Sequence, residues 1–244
     1  MKAMILAAGL GTRLRPLTDT MPKALISIKD KPLLEYVIEK LKVAGFEEII
    51  INIHHFGQQI IDFVQSKNCF GIRIEFSDER DNLLDTGGAI KKAAWFFDDG
   101  KPFLIHNVDI LSNIDLCELC EYHKKHAYLA SLVVSHRKTS RYLLFDENNL
   151  LKGWINTKTG ERRSPFTDFD PTQYTPLAFS GIHVLHPDVF NYMNNFPEKF
   201  SIVDFYLSIC NREKLYGYVP RNLQLIDVGK LDSLSQVEKT FLIL

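Results

Sequence analysis

The 244-residue sequence predicts an α/β fold: a Rossmann-like, mostly parallel sheet with helices on both faces, and an inserted hairpin and loop in the second half. Two observations predict it. Apolar runs of strand length alternate with helix-period segments through the first half of the chain, the order produced when crossover helices join parallel strands. No internal repeat, low-complexity tract or shift in composition interrupts the chain, so a single domain over residues 1–244 is the economical expectation.

The elements follow in order. Residues 2–7 (KAMILA) form an apolar run that reads as a buried strand. Residues 32–44 (PLLEYVIEKLKVA) space their apolar side chains for one face of a helix, and Gly45 stops it. Residues 48–53 (EIIINI) predict the second strand, 58–66 a helix, 72–76 (IRIEF) the third strand and 88–97 a helix. Residues 102–107 (PFLIHN) predict the fourth strand, 115–126 a helix and 129–134 (LASLVV) a strand. Beyond these, RYLLFD and LLKGWI flank Glu147-Asn148-Asn149, which reads as a hairpin. Residues 156–176 show no period. A strand over 179–185, helices over 187–194 and 202–212, strands over 214–219 and 223–227 and a closing helix complete the reading.

Composition excludes several classes. Lys plus Arg number 29 against 30 Asp plus Glu, so a polyanion can be held only by a local cluster. No apolar run is long enough to span a bilayer, and the N-terminus lacks a secretory h-region. A cytoplasmic location is expected, with no nucleic-acid or membrane partner. Four cysteines in a chain this long form no disulfide framework.

The local cluster is MKAMILAAGLGTRLRPLTDTMPKAL, residues 1–25. Gly9 and Gly11 let backbone N–H groups turn toward an anion. Arg13 offers a planar fork for phosphate oxygens, and Lys23 adds a point charge. Pro16 and Pro22 stiffen the return path. The dinucleotide and P-loop fingerprints are both incomplete here, since Leu14 stands where the former needs its third glycine. Taken alone, these residues leave a solvated surface loop open as the alternative.

The stretch LAAGLGTRLRPLTDTMPKAL resembles the signature of the sugar-1-phosphate nucleotidyltransferases, or nucleoside-diphosphate-sugar pyrophosphorylases. The likeness continues in LLDTGGAI (83–90), which resembles the family's base-reading segment, and IHNVD (105–109), which resembles the strand end with the first metal aspartate. FSGIHVLHPDVF (179–190) resembles the sugar-side strand, and IDVGKLDSL (226–234) the stretch with the second metal aspartate. Within the family, the short bacterial N-acetylmuramate-1-phosphate uridylyltransferases are the most alike. The resemblance implies the fold of that family, with a nucleotide-binding half over 1–135 and a sugar-binding half over 136–244. It implies transfer of a nucleoside monophosphate from a triphosphate to a sugar 1-phosphate, with release of pyrophosphate. UTP and a cell-wall amino sugar are the leading expectation. A mannose-1-phosphate guanylyltransferase is the nearest alternative, a phosphocholine cytidylyltransferase a more distant one. A catalytically silent paralogue that binds nucleotide sugars belongs to a different class. A monomer or small homo-oligomer is expected in either case.

Residue by residue, the resemblance implies nucleotide contacts from Ala7, Ala8, Gly9, Leu10, Gly11, Thr12, Arg13, Lys23, Thr86, Gly87, Gly88 and Asn107. Arg13 and Lys23 are the implied catalytic cations. Asp109 and Asp227 are implied to share a Mg²⁺, whose hard shell phosphates and waters would complete. Ser180, Gly181 and Asp204 are implied on the sugar. Two positions depart from the pattern: Val108 stands where relatives usually carry glycine, and Lys230 where threonine is common. Residues 156–176 are expected to be either a substrate lid or a disordered surface insertion, with Arg162, Arg163, Phe166, Phe169 and Tyr174 as its candidate contacts.

Cys117, Cys120, His123 and His126 step by three along one predicted helix. Nine helical residues rise about 13 Å, too far for one zinc shell of about 2.3 Å, so a structural role is expected. His54-His55 is read as a polar strand end.

Overall fold

The computed structural model describes residues 1–126 and 128–229. Its elements run β1 (Lys2–Leu6), β2 (Ser27–Ile28), β3 (Lys31–Pro32), α1 (Leu33–Val43), β4 (Glu48–Ile53), α2 (Gly57–Ser66), β5 (Arg73–Asp78), α3 (Asp85–Lys92), β6 (Phe103–Asn107), β7 (Ile110–Ser112), α4 (Leu116–His126) and β8 (Ala130–Ser135). Then follow β9 (Arg141–Phe145), β10 (Leu151–Asn156), β11 (Arg162–Arg163), β12 (Thr175–Leu185), α5 (Val189–Met193), α6 (Ile202–Ile209), β13 (Leu215–Tyr218) and β14 (Leu225–Asp227). The closing helix and Lys230 of the sequence reading lie outside the described residues.

A ten-stranded sheet forms the core. Strands β5, β4, β1 and β6 lie side by side and parallel. β12 pairs antiparallel with β6 and with β8, and β13 pairs parallel with β8. β12 is therefore the one reversed strand in this part of the sheet. Its first residues, Thr175–Leu177, pair instead with β9, which carries the antiparallel extension β9-β10-β11. The sheet thus runs through both halves of the chain.

Helix α1 shows why the apolar spacing works. Leu33, Leu34, Val37, Ile38 and Leu41 are buried, while Val43 is 90% exposed. Each buried side chain contributes about 1.5–3 kcal/mol. Gly45, at φ 81°, lets its N–H reach Lys42 O and that of Phe46 reach Leu41 O, the left-handed turn that ends helices. α1, α2 and α4 cover one face of the sheet, packing on Ile49, Ile51 and Leu104. α3, α5 and α6 cover the other, packing on Met4, Ile50, Phe103 and Ile105.

Residues 156–176 correct the sequence reading, which finds no structure there. Gly160 N–H donates to Asn156 O at 2.8 Å and Asn156 N–H to Glu161 O at 2.8 Å, closing a turn that brings β11 back onto β10. Ser164 Oγ donates to Lys152 O at 2.7 Å. The Phe169 ring lies so close over Gly153 that a Cβ there would stand 2.4 Å from it. Contacts to β10, which a periodicity search cannot register, hold this segment. α3 also begins at Asp85, ahead of the expected residue 88, because the segment over residues 198–202 caps its first turn.

Candidate active site

The carboxyl ends of β1, β4, β5 and β6 open on one cleft of about 510 Å³, where an open parallel sheet places its ligands. From the first loop, Ala7, Ala8, Gly9, Leu10, Gly11, Thr12 and Arg13 all line it. Gly11 has φ 63°, and a Cβ there would lie 2.7 Å from Thr18 Cγ2. Thr18 Oγ1 donates to Gly11 O at 2.9 Å, which folds the loop back on itself and turns residues 9–13 outward. Lys23 is 7% exposed, and its Nζ donates to Asp109 Oδ2.

The two aspartates are brought together by a short ladder. β7 pairs antiparallel with β14, with Asp227 opposite Ile110. Val228 N–H donates to Asp109 O at 2.9 Å, and Gly229 N–H to Asp227 Oδ1 at 2.8 Å. A Cβ at Gly229 would lie 2.6 Å from Asp227 Oδ1, 3.1 Å from Arg13 Nη2 and 3.3 Å from Lys23 Nζ. Arg13, Lys23 and Asp227 therefore converge on one glycine, and Asp109 joins them through its ion pair with Lys23. Two carboxylates are a hard-oxygen donor set, and Asp109 already holds a cationic ammonium. Among the described residues, no group of three or more His, Cys, Asp or Glu side chains gathers to hold a metal. A divalent ion here would take two protein ligands and fill its shell from phosphate and water, which suits Mg²⁺.

The far wall comes from the start of α3. Leu83, Asp85 and Thr86 line the cleft. Gly87 and Gly88 are turned away from it: both N–H groups donate to Phe200 O, at 2.9 and 3.2 Å. A Cβ on Gly87 would stand 2.3 Å from the Phe200 ring, and one on Gly88 2.0 Å from Glu198 O. Thr86 Oγ1 accepts from Ile202 N–H at 2.9 Å. These glycines are required for close packing against residues 198–202.

The sugar-side residues divide. Asn107 lines the cleft at the end of β6. Gly181, at φ 70°, lies beneath it, where a Cβ would be 2.5 Å from Asn107 Nδ2. It sits in the register shift of β12 against β8 between Phe179 and His183. Ser180 is 1% exposed, with its Oγ unpaired among the described residues. Gly181 thus supports the cleft floor from behind, and neither residue lines the cleft. Asp204 is exposed and pairs with Arg163, whose guanidinium stacks 4.1 Å over Trp154. The structure does not bring Asp204 into the cleft.

Sequence reasoning missed Asn52, Glu79, Lys199 and Gly229, and within the stretch 83–90 it named neither Leu83 nor Asp85, all of which line the cleft. Asn52 carried a signal, a lone amide inside the apolar run EIIINI. Burial raises the Glu79 carboxyl above its usual range, against the lowering effect of hydrogen bonds from Asn52 and Leu84 N–H. Val108 is buried beneath the cleft, its N–H donating to Leu6 O at 3.1 Å.

The evenly spaced Cys and His residues on α4 scatter. His123 is buried against Ser131 Oγ at 2.9 Å, and burial lowers its pKa to about 4. Cys120 is buried, its thiol pushed up to about 12, while Cys117 and His126 face solvent. His54 Nδ1 lies 2.6 Å from Glu79 O.

Solved structures define the class of fold. HddC from Yersinia pseudotuberculosis, crystallised with GMP-PN, superposes with a TM-score of 0.77 at 23% identity, over 98% of this chain and 99% of that one. A UDP-glucose pyrophosphorylase complexed with UDP-glucose superposes at 0.78 and 20% identity, over 99% and 98%. The fold is that of the nucleotide-sugar pyrophosphorylases. The chain belongs to the nucleotidyl transferase family, whose sequence model matches residues 2–242. It is 34% identical over 198 residues to the N-acetylmuramate alpha-1-phosphate uridylyltransferase of Neisseria meningitidis, covering 78% of each chain. A mannose-1-phosphate guanyltransferase of Yarrowia lipolytica is 30% identical over 222 residues, 89% of this chain and 58% of that protein. A UTP–glucose-1-phosphate uridylyltransferase of Synechocystis is 28% identical over 95% of this chain and 61% of its own length. The chain is a nucleotidyltransferase of the sugar-1-phosphate class. Among its described residues, no helix is long and apolar enough to cross a membrane.

Proposed function

We propose that this chain transfers the uridylyl group of UTP to the phosphate of N-acetylmuramate 1-phosphate, forming a UDP-sugar and pyrophosphate. The observation that carries the reading is the convergence of Arg13, Lys23 and Asp227 on Gly229, with Asp109 paired to Lys23, at the rim where the glycine loop opens. An oxygen of the sugar phosphate forms a new bond to the α-phosphorus as the bond to the β-phosphate oxygen breaks. Both reactants are anions, so alignment and charge neutralisation are the chain's main tasks. Arg13 and the backbone of residues 9–12 hold the leaving pyrophosphate. Lys23, on the Asp109 side, meets the α-phosphate and the incoming phosphate. A Mg²⁺ held by Asp109 and Asp227 would screen the phosphate charges and polarise the α-phosphoryl group when bound.

Two features support the choice of acceptor. The Neisseria relative bears that name across most of both chains. Lys199 lines the cleft and has no hydrogen-bond or ion-pair partner among the described residues. It offers a cation to the lactyl carboxylate of N-acetylmuramate, a group that mannose and glucose lack. The test is a panel of UTP, GTP, CTP and ATP against N-acetylmuramate, N-acetylglucosamine, mannose and glucose 1-phosphates, read by pyrophosphate release. Fastest turnover with UTP and N-acetylmuramate 1-phosphate is expected. Preference for GTP and mannose 1-phosphate would replace this reading with the guanylyltransferase one, and no release with any pair would indicate a silent binding subunit.

A further inference from the structure

The floor of the cleft holds a chain of hydrogen bonds that joins its two walls. Ala7 N–H, the first group of the phosphate-side loop, donates to Asn52 Oδ1 at 2.7 Å. Asn52 Nδ2 donates to Glu79 Oε1 at 2.8 Å. Glu79 Oε2 accepts from Leu84 N–H at 3.1 Å, immediately before Asp85 and Thr86 on the base-side wall. Leu84 O in turn accepts from Phe200 N–H at 3.2 Å. Asn52 and Glu79 are 3% and 1% exposed. No arginine or lysine pairs with Glu79 among the described residues, and its backbone is also fixed, with its N–H on Ile53 O at 2.8 Å.

A buried carboxylate without an ion-paired cation is costly to keep, and Lys92 and His54 act on this one only through space. Here both of its oxygens are spent on the groups that set the distance between the β1 loop and the 83–86 segment. We propose that Asn52 and Glu79 act as a coupled positioning pair that fixes the span between the phosphate-holding and base-side walls, and so sets affinity for the triphosphate. The inference rests on the reading that this cleft takes a nucleoside triphosphate. The polarity of the chain is fully determined. Ala7 N–H requires an acceptor, so Asn52 must present its amide NH₂ to residue 79, which must then be acceptor-only to receive Leu84 N–H as well. A glutamine at position 79 would set a donor against one of two donors. An aspartate at position 52 would set a carboxylate against a carboxylate.

The same logic supplies the test. In the double variant N52D/E79Q every donor again meets an acceptor. The carboxylate introduced at position 52 accepts from Ala7 N–H and from the amide introduced at position 79, whose oxygen accepts from Leu84 N–H. Net charge is unchanged. UTP affinity of the full chain is measured by calorimetry, and KM for UTP and for the sugar 1-phosphate by pyrophosphate release, with melting temperature recorded for each variant. We expect E79Q and N52D each to weaken UTP binding about tenfold or more, as misplaced phosphate and base contacts would. KM for the sugar 1-phosphate should change less than about threefold. The double variant should return UTP affinity to within about threefold of the parent. Unchanged UTP affinity in both single variants overturns the proposal, and so does a double variant weaker than either single. Should the single variants fail to fold, a folded double with parental UTP affinity supports the pairing, and a double that fails as they do overturns it. If the parent chain itself binds no nucleoside triphosphate, the functional reading falls and takes this inference with it. If the parent binds and the variants bind equally, this inference alone falls.

Discussion

In the first half of the chain, four parallel strands end at one rim, and each rim loop sends a polar group into the cleft. Arg13 and Lys23 follow β1, Asn52 ends β4, Glu79 follows β5 and Asp109 follows β6. In the second half, β9, β10 and the start of β12 run antiparallel, so successive turns fall at opposite ends of the sheet. Those turns bury their side chains locally, as Phe169 does over Gly153 and Arg163 over Trp154. Among the described residues, only Lys199 and Gly229 of the cleft lining come from beyond residue 109. Parallel topology thus concentrates chemistry at one edge, whereas the antiparallel extension supplies packing.

The largest effect should come from the rim carboxylates. Asp109→Asn and Asp227→Asn each keep size but lose the charge needed by a divalent cation. A fall in kcat of about 100-fold or more is expected for each, with circular dichroism unchanged, measured at saturating and at limiting Mg²⁺. Parental activity at limiting Mg²⁺ would remove that residue from the proposed metal site; at Asp109 it would weaken the contrast between the halves, and at Asp227 it would sharpen it.

Lys23→Ala should lower kcat about 10- to 100-fold, with a smaller rise in KM for the triphosphate. In the proposed reaction its phosphate partners meet only as the two substrates approach, so its contribution would grow toward the transition state. Single-turnover kinetics check this. A change in nucleotide KM alone would make Lys23 a binding group.

Lys199→Gln sharpens the comparison, because among the described residues it tests the second half's one cationic contribution to the cleft. KM for N-acetylmuramate 1-phosphate should rise about tenfold, the size of one lost charged contact. KM for N-acetylglucosamine 1-phosphate should hold within about twofold. Equal losses for both acceptors would mean that Lys199 does not read the carboxylate.

The smallest effect on turnover should come from Phe169→Ala. It removes a half-buried ring from the β10 face and should cost about 1–2 kcal/mol of stability by urea unfolding. kcat and both KM values should stay within about twofold. A selective loss of sugar 1-phosphate binding would restore the lid role to residues 156–176.

The first half was legible in the sequence because its signals are local. Strand, glycine loop and charge lie within residues 1–25, and the predicted strand over 48–53 coincides with β4. The glycine loop announced its residues by type. Glu79 and Lys199 did not announce themselves, since a charged residue near a turn looks the same whether it is solvated or faces a cleft. Asp204 failed in the opposite sense: an ion pair with Arg163, distant in sequence, claims it. The reversed direction of β12 was also hidden, because an apolar run carries no sign of which way it will pair. Gly87 and Gly88 were visible, but their partner, the Phe200 carbonyl, lies far along the chain.

That last contact bears on how such a chain can change over generations. A methyl group at position 88 would stand 2.0 Å from a carbonyl oxygen, and one at 87 2.3 Å from a ring. Neither position can accept another amino acid unless the Phe200 strap shifts with it. Point mutation therefore has little access to the hinge where α3 meets the strap. On the reading that this wall meets the nucleobase, variation falls first to Leu83 and Asp85, which border the cleft beside the two glycines. The two glycines and the strap over them are thus inherited as a block.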